Sequence, residues 1–215
     1  MTLQNRSIQP LLRAGLLLAA LCLAAAPALA ARTVMVFGDS LSAAYNLSAE
    51  QGWVHLIDER IARSNLPWRV VNASISGETT AGGLSRLAED LKRHKPSIVV
   101  IALGGNDALR GLPVATMRSN LEKMIRLTRN AHAQPVLVGL MIPPNYGIDY
   151  ATEFRDMYRA MAAREKIPLV PFLLEGIADN PELFQRDQLH PTAQAQQRIA
   201  DNVWPALAPL LKKGP

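Results

Sequence analysis

Thr33-Val34-Met35-Val36-Phe37-Gly38-Asp39-Ser40-Leu41-Ser42 begins as an apolar run and ends as a polar turn. Residues 34–37 carry no polar alternation and include β-branched and aromatic side chains, the pattern of a strand buried on both faces. The run stops at Gly38, where a small residue permits a sharp turn, and Ser40 follows two positions later. A serine at the carboxyl end of a buried parallel strand stands where open α/β sheets bind their ligands. Two readings of Ser40 are open at this point: a reactive hydroxyl, or a cap on the helix that follows.

Outward from this stretch the chain alternates strands and amphipathic helices. Residues 48–64 read as a helix, with Trp53, Leu56, Ile57 and Ile61 at spacings of three and four. Residues 68–74 read as a second strand. Residues 80–94 form a second helix with Leu84, Leu87 and Leu91 on one face and basic residues at its carboxyl end, where the helix dipole favours them. Pro96 ends that helix, and residues 98–103 make the clearest buried strand. A helix over 114–131, a strand over 135–142, a helix over 150–165 and a strand over 167–172 follow. The prolines of the last strand suit an edge. A closing helix opens at Pro191, in its first turn, and ends near Leu211. Such alternation implies right-handed crossovers and a parallel sheet with helices on both faces, a three-layer α/β/α sandwich. Five strands in this pattern fit the flavodoxin-like order 2-1-3-4-5.

The 215 residues suffice for one well-buried domain, and 49% hydrophobic with 19% charged residues is a globular composition. The single cysteine, Cys22, rules out an internal disulfide framework and a cysteine metal cluster. Residues 1–30 are of another kind. Arg6 and Arg13 precede a Leu- and Ala-rich run, and Ala28-Leu29-Ala30 supplies a small-residue cleavage site, so the segment reads as a secretory signal peptide cut after Ala30. The domain then spans 31–215, and the mature protein is periplasmic or secreted. An uncleaved anchor is the competing reading, but the run is short for a span of about 20 residues. A lipoprotein cut before Cys22 would place the large Leu21 where a small residue is wanted. Loss of the peptide removes two arginines and no acid, taking the formal charge from +5 to +3. The remaining charges are interspersed, with no basic stripe of the kind nucleic-acid binding requires. No stable membrane span remains in the mature form, and nothing in the pattern demands more than a monomer.

Three strand ends on one sheet edge carry polar or glycine-rich turns, at Ser40, Gly77 and Asn106. A nucleophilic serine needs a base. His55 and His94 fall within helices and His132 closes another, which makes them surface or cap residues and leaves no histidine cluster for a metal. His190 differs: Asp187-Gln188-Leu189-His190-Pro191 sets a carboxylate three residues before it in a tight loop. Such a turn lets the carboxylate meet Nδ1 and leaves Nε2 facing outward, as a general base requires. Asp39 and Asp107 are assigned structural hydrogen-bonding, turn or cap roles.

Gly38-Asp39-Ser40-Leu41, Ser76-Gly77, Gly104-Gly105-Asn106-Asp107 and Asp187-x-x-His190 together resemble, in order and spacing, the four blocks of the SGNH (GDSL) hydrolases. Residues 72–77, 103–107 and 144–147 are similar to the periplasmic multifunctional branch described as thioesterase, protease, lysophospholipase or arylesterase. The resemblance implies hydrolysis of acyl esters and thioesters, with no cofactor and no metal. It implies Ser40, His190 and Asp187 as the triad, and the backbone N–H groups of Ser40 and Gly77 with the Asn106 amide as the oxyanion hole. The loops after strands three and four are unusually apolar. Leu109, Leu112, Pro113, Ile142, Pro144 and Tyr146 are expected to line an acyl groove, the alternative being that they pack as a small satellite core over the sheet edge. A carbohydrate acetylesterase on the same scaffold would want a small polar pocket with aromatic stacking, against which the 5% aromatic content speaks. A non-catalytic lipid- or nucleotide-binding module is the reading from another class, and no G-x-x-x-x-G-K phosphate loop supports it.

Overall fold

A computed structural model describes residues 31–212, so the expected signal peptide lies outside the described residues. The sheet has five parallel strands in the order β2-β1-β3-β4-β5. They are β1 (Arg32–Gly38), β2 (Trp68–Asn72), β3 (Ile98–Ala102), β4 (Gln134–Val138) and β5 (Leu169–Val170). β1 and β3 sit between neighbours, and Val34, Met35, Phe37, Val99, Val100 and Ile101 are fully enclosed. That burial is why both strands read as unbroken apolar runs.

Among the described residues six helices flank the sheet: α1 (Trp53–Arg63), α2 (Thr80–His94), α3 (Gly105–Leu109), α4 (Val114–Asn130), α5 (Ile148–Glu165) and α6 (Gln196–Lys212). α2, α4 and α5 pack side by side, while α1 packs against α6, which gives the expected three layers. α2 begins at Thr79, whose hydroxyl accepts the Gly82 N–H at 3.1 Å. It ends at Lys95 in the left-handed conformation, directly before Pro96.

The structure departs from expectation at four places. β4 stops at Val138, four residues early, because Gly139 turns onto β5: its N–H reaches the Val170 carbonyl at 2.8 Å, and a Cβ there would stand 2.3 Å from the Pro171 oxygen. β5 keeps only two paired residues, since Pro168 and Pro171 on either side have no N–H to give. Pro191 does not open the last helix. It pairs with Phe184 in an isolated antiparallel bridge, and α6 starts at Gln196 after a single 3-10 turn over Ala193–Ala195. No helix follows Ser40 directly either; residues 40–46 are turns, a 3-10 turn spans Ala49–Gln51, and α1 begins only at Trp53.

Candidate active site

Every element that reaches the site leaves the carboxyl edge of the sheet. β1 delivers Ser40 through a turn in which the Asp39 carbonyl accepts the N–H groups of Ser42 (3.1 Å) and Ala43 (2.9 Å). The capping side chain there belongs to Asp39, whose Oδ1 accepts the Leu41 N–H at 3.0 Å, and not to Ser40, so the capping alternative for the serine falls away. Gly38 is required by space: a Cβ would lie 2.7 Å from the Ser42 Oγ and 3.1 Å from the Ala102 carbonyl. Asn72, at the end of β2, donates from Nδ2 to the Ser42 carbonyl at 2.7 Å and fastens the turn to the neighbouring strand.

The loop between β5 and α6 brings His190 to the serine across 150 positions of sequence, with His190 Nε2 2.8 Å from Ser40 Oγ. The loop is built by Asp187. Its Oδ1 accepts the backbone N–H groups of Leu189 and His190, both at 3.0 Å, and its Oδ2 lies 2.8 Å from His190 Nδ1. The His190 N–H, then the Leu189 N–H and the imidazole, hold the Asp187 carboxyl down to about 2, against its ordinary 3.8. It is therefore an anion throughout the neutral range. The Nδ1 contact assigns the proton to Nδ1 and leaves Nε2 as an acceptor for the serine hydroxyl.

Two features of this corner have no motif in the sequence. Tyr45 lies over the imidazole, ring centroids 4.2 Å apart and planes inclined by 32°. Ala44 and Asn46 on either side of it both take φ of 56°, a left-handed pair that sets the ring in place. Gln185 then clamps the two loops together, its Nε2 donating to the carbonyls of Tyr45 (2.9 Å) and Pro191 (3.1 Å). Nothing in the local pattern signals either residue, because each acts across a gap that only the fold closes.

Gly77 has φ of +78°, and a Cβ there would meet no atom within 4 Å. Conformation, and not crowding, selects glycine at this point. Among the described residues neither the Ser40 nor the Gly77 N–H has an acceptor. The Gly77 loop is anchored by Arg86, which bonds Glu78 (2.6 Å), the Ala73 carbonyl (2.9 Å) and Asp90 (2.8 Å) while lying over the Phe37 ring.

Asn106 stands on α3, where its Nδ2 donates to the Glu78 carbonyl at 3.0 Å and to Asp39 Oδ2 at a longer 3.3 Å. Gly104, immediately before α3, has φ of 121° and backs onto the Tyr158 hydroxyl, which a Cβ would approach to 2.4 Å. Asp107 points away from the serine. It accepts the Thr80 N–H (2.8 Å) and hydroxyl (2.6 Å), so it caps α2, as expected of a structural carboxylate. Asp39 is deeply buried. Its carboxyl is pushed up to about 7 by loss of hydration and by the Asp107 charge nearby, against the pull of its hydrogen bonds.

The expected groove residues fall on two adjacent loops. Tyr150 bridges them from α5, its hydroxyl donating to the Leu112 carbonyl at 2.6 Å. Leu109 packs against the core and Ile142 is nearly enclosed, whereas Leu112, Pro113 and Tyr146 are exposed; the Pro144 side chain lies outside the described residues. Ile142 and Met141 border a shallow depression with Ala151 and Thr152 of α5. His55 pairs with Glu59 on the surface of α1, and no group of ligating side chains suited to a metal occurs among the described residues.

A model of the GDSL-like lipase/acylhydrolase family matches residues 36–198. Esterase TesA of Pseudomonas aeruginosa is 50% identical over 182 residues, 85% of this chain and 90% of that protein. Thioesterase 1/protease 1/lysophospholipase L1 of Escherichia coli K12 is 39% identical over 184 residues, 86% of this chain and 87% of that protein. Among solved structures, the crystal structure of TesA superposes with a TM-score of 0.81 at 49% identity, covering 83% of this chain and 99% of that one. A psychrotrophic esterase, EstA from a Pseudoalteromonas species, inhibited by monoethylphosphonate, gives 0.80 at 37% identity, covering 85% and 100%.

Proposed function

The chain belongs to the GDSL-like lipase/acylhydrolase family and is an ester-bond hydrolase, and on that premise we propose that Ser40 is its nucleophile, with His190 as general base and Asp187 as the orienting carboxylate. The observation that carries this reading is the unbroken line from Asp187 Oδ2 to Nδ1 and from Nε2 to Ser40 Oγ, each contact 2.8 Å. Ser40 Oγ attacks the acyl carbonyl as its proton passes to Nε2. The proton then goes to the leaving group, and an acyl-enzyme remains for water to hydrolyse by the same route. Asp187, an anion before and after, stabilises the imidazolium formed between these steps.

The oxyanion is taken by the unclaimed N–H groups of Ser40 and Gly77 and by Asn106 Nδ2, whose 3.3 Å contact with Asp39 is the weaker of its two. Of the expected groove residues, Leu112, Pro113, Tyr146 and Ile142, which stand at the surface or border the depression, flank the acyl chain. The substrates are carboxylic esters and thioesters, in keeping with the arylesterase and thioesterase names of the relatives. We place the mature protein outside the cytoplasm, on the strength of the arginines, apolar run and Ala28-Leu29-Ala30 site at the start of the chain.

The test is hydrolysis of p-nitrophenyl esters from acetate to palmitate, wild type beside Ser40→Ala. Turnover that peaks at medium or long chains and disappears in the variant is expected. A peak at acetate would favour a small-acyl pocket instead of the groove. Turnover that survives in Ser40→Ala would overturn the assignment of the nucleophile.

A further inference from the structure

Among the described residues, the large hydrophobic side chains that stand exposed are Tyr45, Ile75, Leu112, Tyr146, Ile148 and Leu189. None of them lies on the outer faces of α1, α2, α4 or α6, or at the amino edge of the sheet. All six sit on segments at the carboxyl edge, around Ser40. Tyr45 covers His190, and Leu189 lies between Asp187 and His190. Ile75 donates its N–H to the Gly38 carbonyl, beside the serine turn. Leu112 is held by Tyr150, and Tyr146 and Ile148 lead into α5.

The ring runs across most of the carboxyl edge of the sheet. Ile75 follows β2 and Ile148 follows β4, and β1 and β3 lie between those strands. Three strand spacings separate them, about 14 Å. They are also the most exposed of the six, Ile75 at 50% and Ile148 at 74%, although Ile148 also borders the depression beside Met141 and Ile142. Exposed apolar surface gathered in one place marks an interaction face. Two cations share the rim. Arg110 reaches the Gly77 carbonyl at 3.4 Å and Arg186 adjoins Asp187, and neither pairs with a carboxylate among the described residues. Of the rim acids, Asp187 is engaged by His190 and Glu78 by Arg86, leaving Asp149, with Asp179 and Glu182 earlier on the β5–α6 loop.

We propose that this ring is a docking surface for an anionic lipid–water interface, which the protein meets with its catalytic mouth. A protein partner or a second copy seated on the same ring would cover Ser40 and shut the site. A lipid surface there presents acyl chains to it. Apolar side chains enter the boundary between headgroups and chains, while Arg110 and Arg186 meet the phosphates. The inference takes from the preceding reading only the position of Ser40 at the centre of the ring.

The test is binding of the full chain carrying Ser40→Ala, so that no lipid is consumed, to vesicles of phosphatidylcholine alone or mixed equally with phosphatidylglycerol. With Cys22→Ser in place, an environment-sensitive dye is attached through Ile148→Cys on the ring or Lys92→Cys at the opposite edge of the sheet. This makes the readout local, so tethering by the N-terminal apolar segment cannot imitate it. The Ile148→Cys label should shift to the blue on the mixed vesicles and the Lys92→Cys label should not. Adding Ile75→Ser with Leu189→Ser should abolish the shift. Arg110→Gln with Arg186→Gln should weaken binding to the anionic vesicles by about tenfold or more and leave the neutral ones unaffected. Equal shifts at both labels, or none at either, would overturn the docking surface, and so would concentration-dependent dimerisation that removes the shift. Because the protein is inactive by design, failure here is separate from failure to hydrolyse p-nitrophenyl esters.

Discussion

Asp39 is the neighbour of Ser40 in sequence and the partner of Asn106 in space. Its ordinary carboxyl value is 3.8 and its value in the fold is about 7, so the folded chain holds the proton more tightly than the unfolded one. Stability from this group is complete below the unfolded value and is lost as pH rises through the folded one. In thermal melts across about pH 4 to pH 8, the melting temperature of wild type relative to Asp39→Asn should therefore fall as pH rises, by the equivalent of a few kcal/mol. The same variant should lose activity at every pH. An amide nitrogen in place of Oδ2 faces Asn106 donor to donor, and a disturbed oxyanion donor costs up to about 10²–10³ in kcat. A variant with wild-type turnover would separate Asp39 from the Asn106 amide.

The five residues of α3 do two jobs, since Asn106 faces the site and Asp107 faces the core. Asp107 takes both the N–H and the hydroxyl of Thr80, and Asn120 donates to that hydroxyl at 3.1 Å, so three elements meet in one buried polar cluster. Asp107→Ala strands the Thr80 donors without an acceptor, a loss of about 3 kcal/mol. In a chain of this size the melting temperature should fall by roughly 10 °C. Circular dichroism melts check the stability, and kcat measured well below the transition should fall with it, because α3 also aims Asn106. The adjoining Gly104 has the same dependence on its surroundings, since its positive φ suits glycine and the Tyr158 hydroxyl fills the space where a Cβ would stand.

Across the whole molecule, Ser40 and His190, the two halves of the proposed triad, come from opposite ends of the domain sequence and need a brace between them. Gln196, at the start of α6, accepts the Trp53 N–H at 3.1 Å through Oε1, inside the core and across 143 positions. The Trp53 indole donates to the Leu41 carbonyl at 3.0 Å, one residue past Ser40. Gln196→Ala therefore exposes the first N–H of α1 to an apolar void. It should cost about 1–3 kcal/mol, visible as a drop of several degrees in melting temperature. Gln196→Glu, which keeps an acceptor, should recover part of it. An unchanged melting temperature in the alanine variant would show that water replaces the brace.

The meeting of Ser40 with His190 was implied by the resemblance to the GDSL hydrolases, whereas strand and helix order, the parallel sheet and the Asp187–His190 turn were legible in the chain itself. Each of the latter rests on short-range regularity: the apolar run before Ser40, the spacing of leucines at 84, 87 and 91, and the three-residue turn from Asp187 to His190. Element limits were less legible wherever a neighbour set them. β4 ends where Gly139 meets β5, and Pro191 serves a bridge to Phe184 instead of a helix start. The ring of Tyr45 on the imidazole, the Gln185 clamp, the burial that raises Asp39 and the apolar rim around the mouth came only from the tertiary structure. The physical reason is range. Periodicity and turn chemistry act over a few residues and are written in local order, whereas desolvation, stacking and a shared surface depend on groups that the crossovers bring together from 100 or more positions apart.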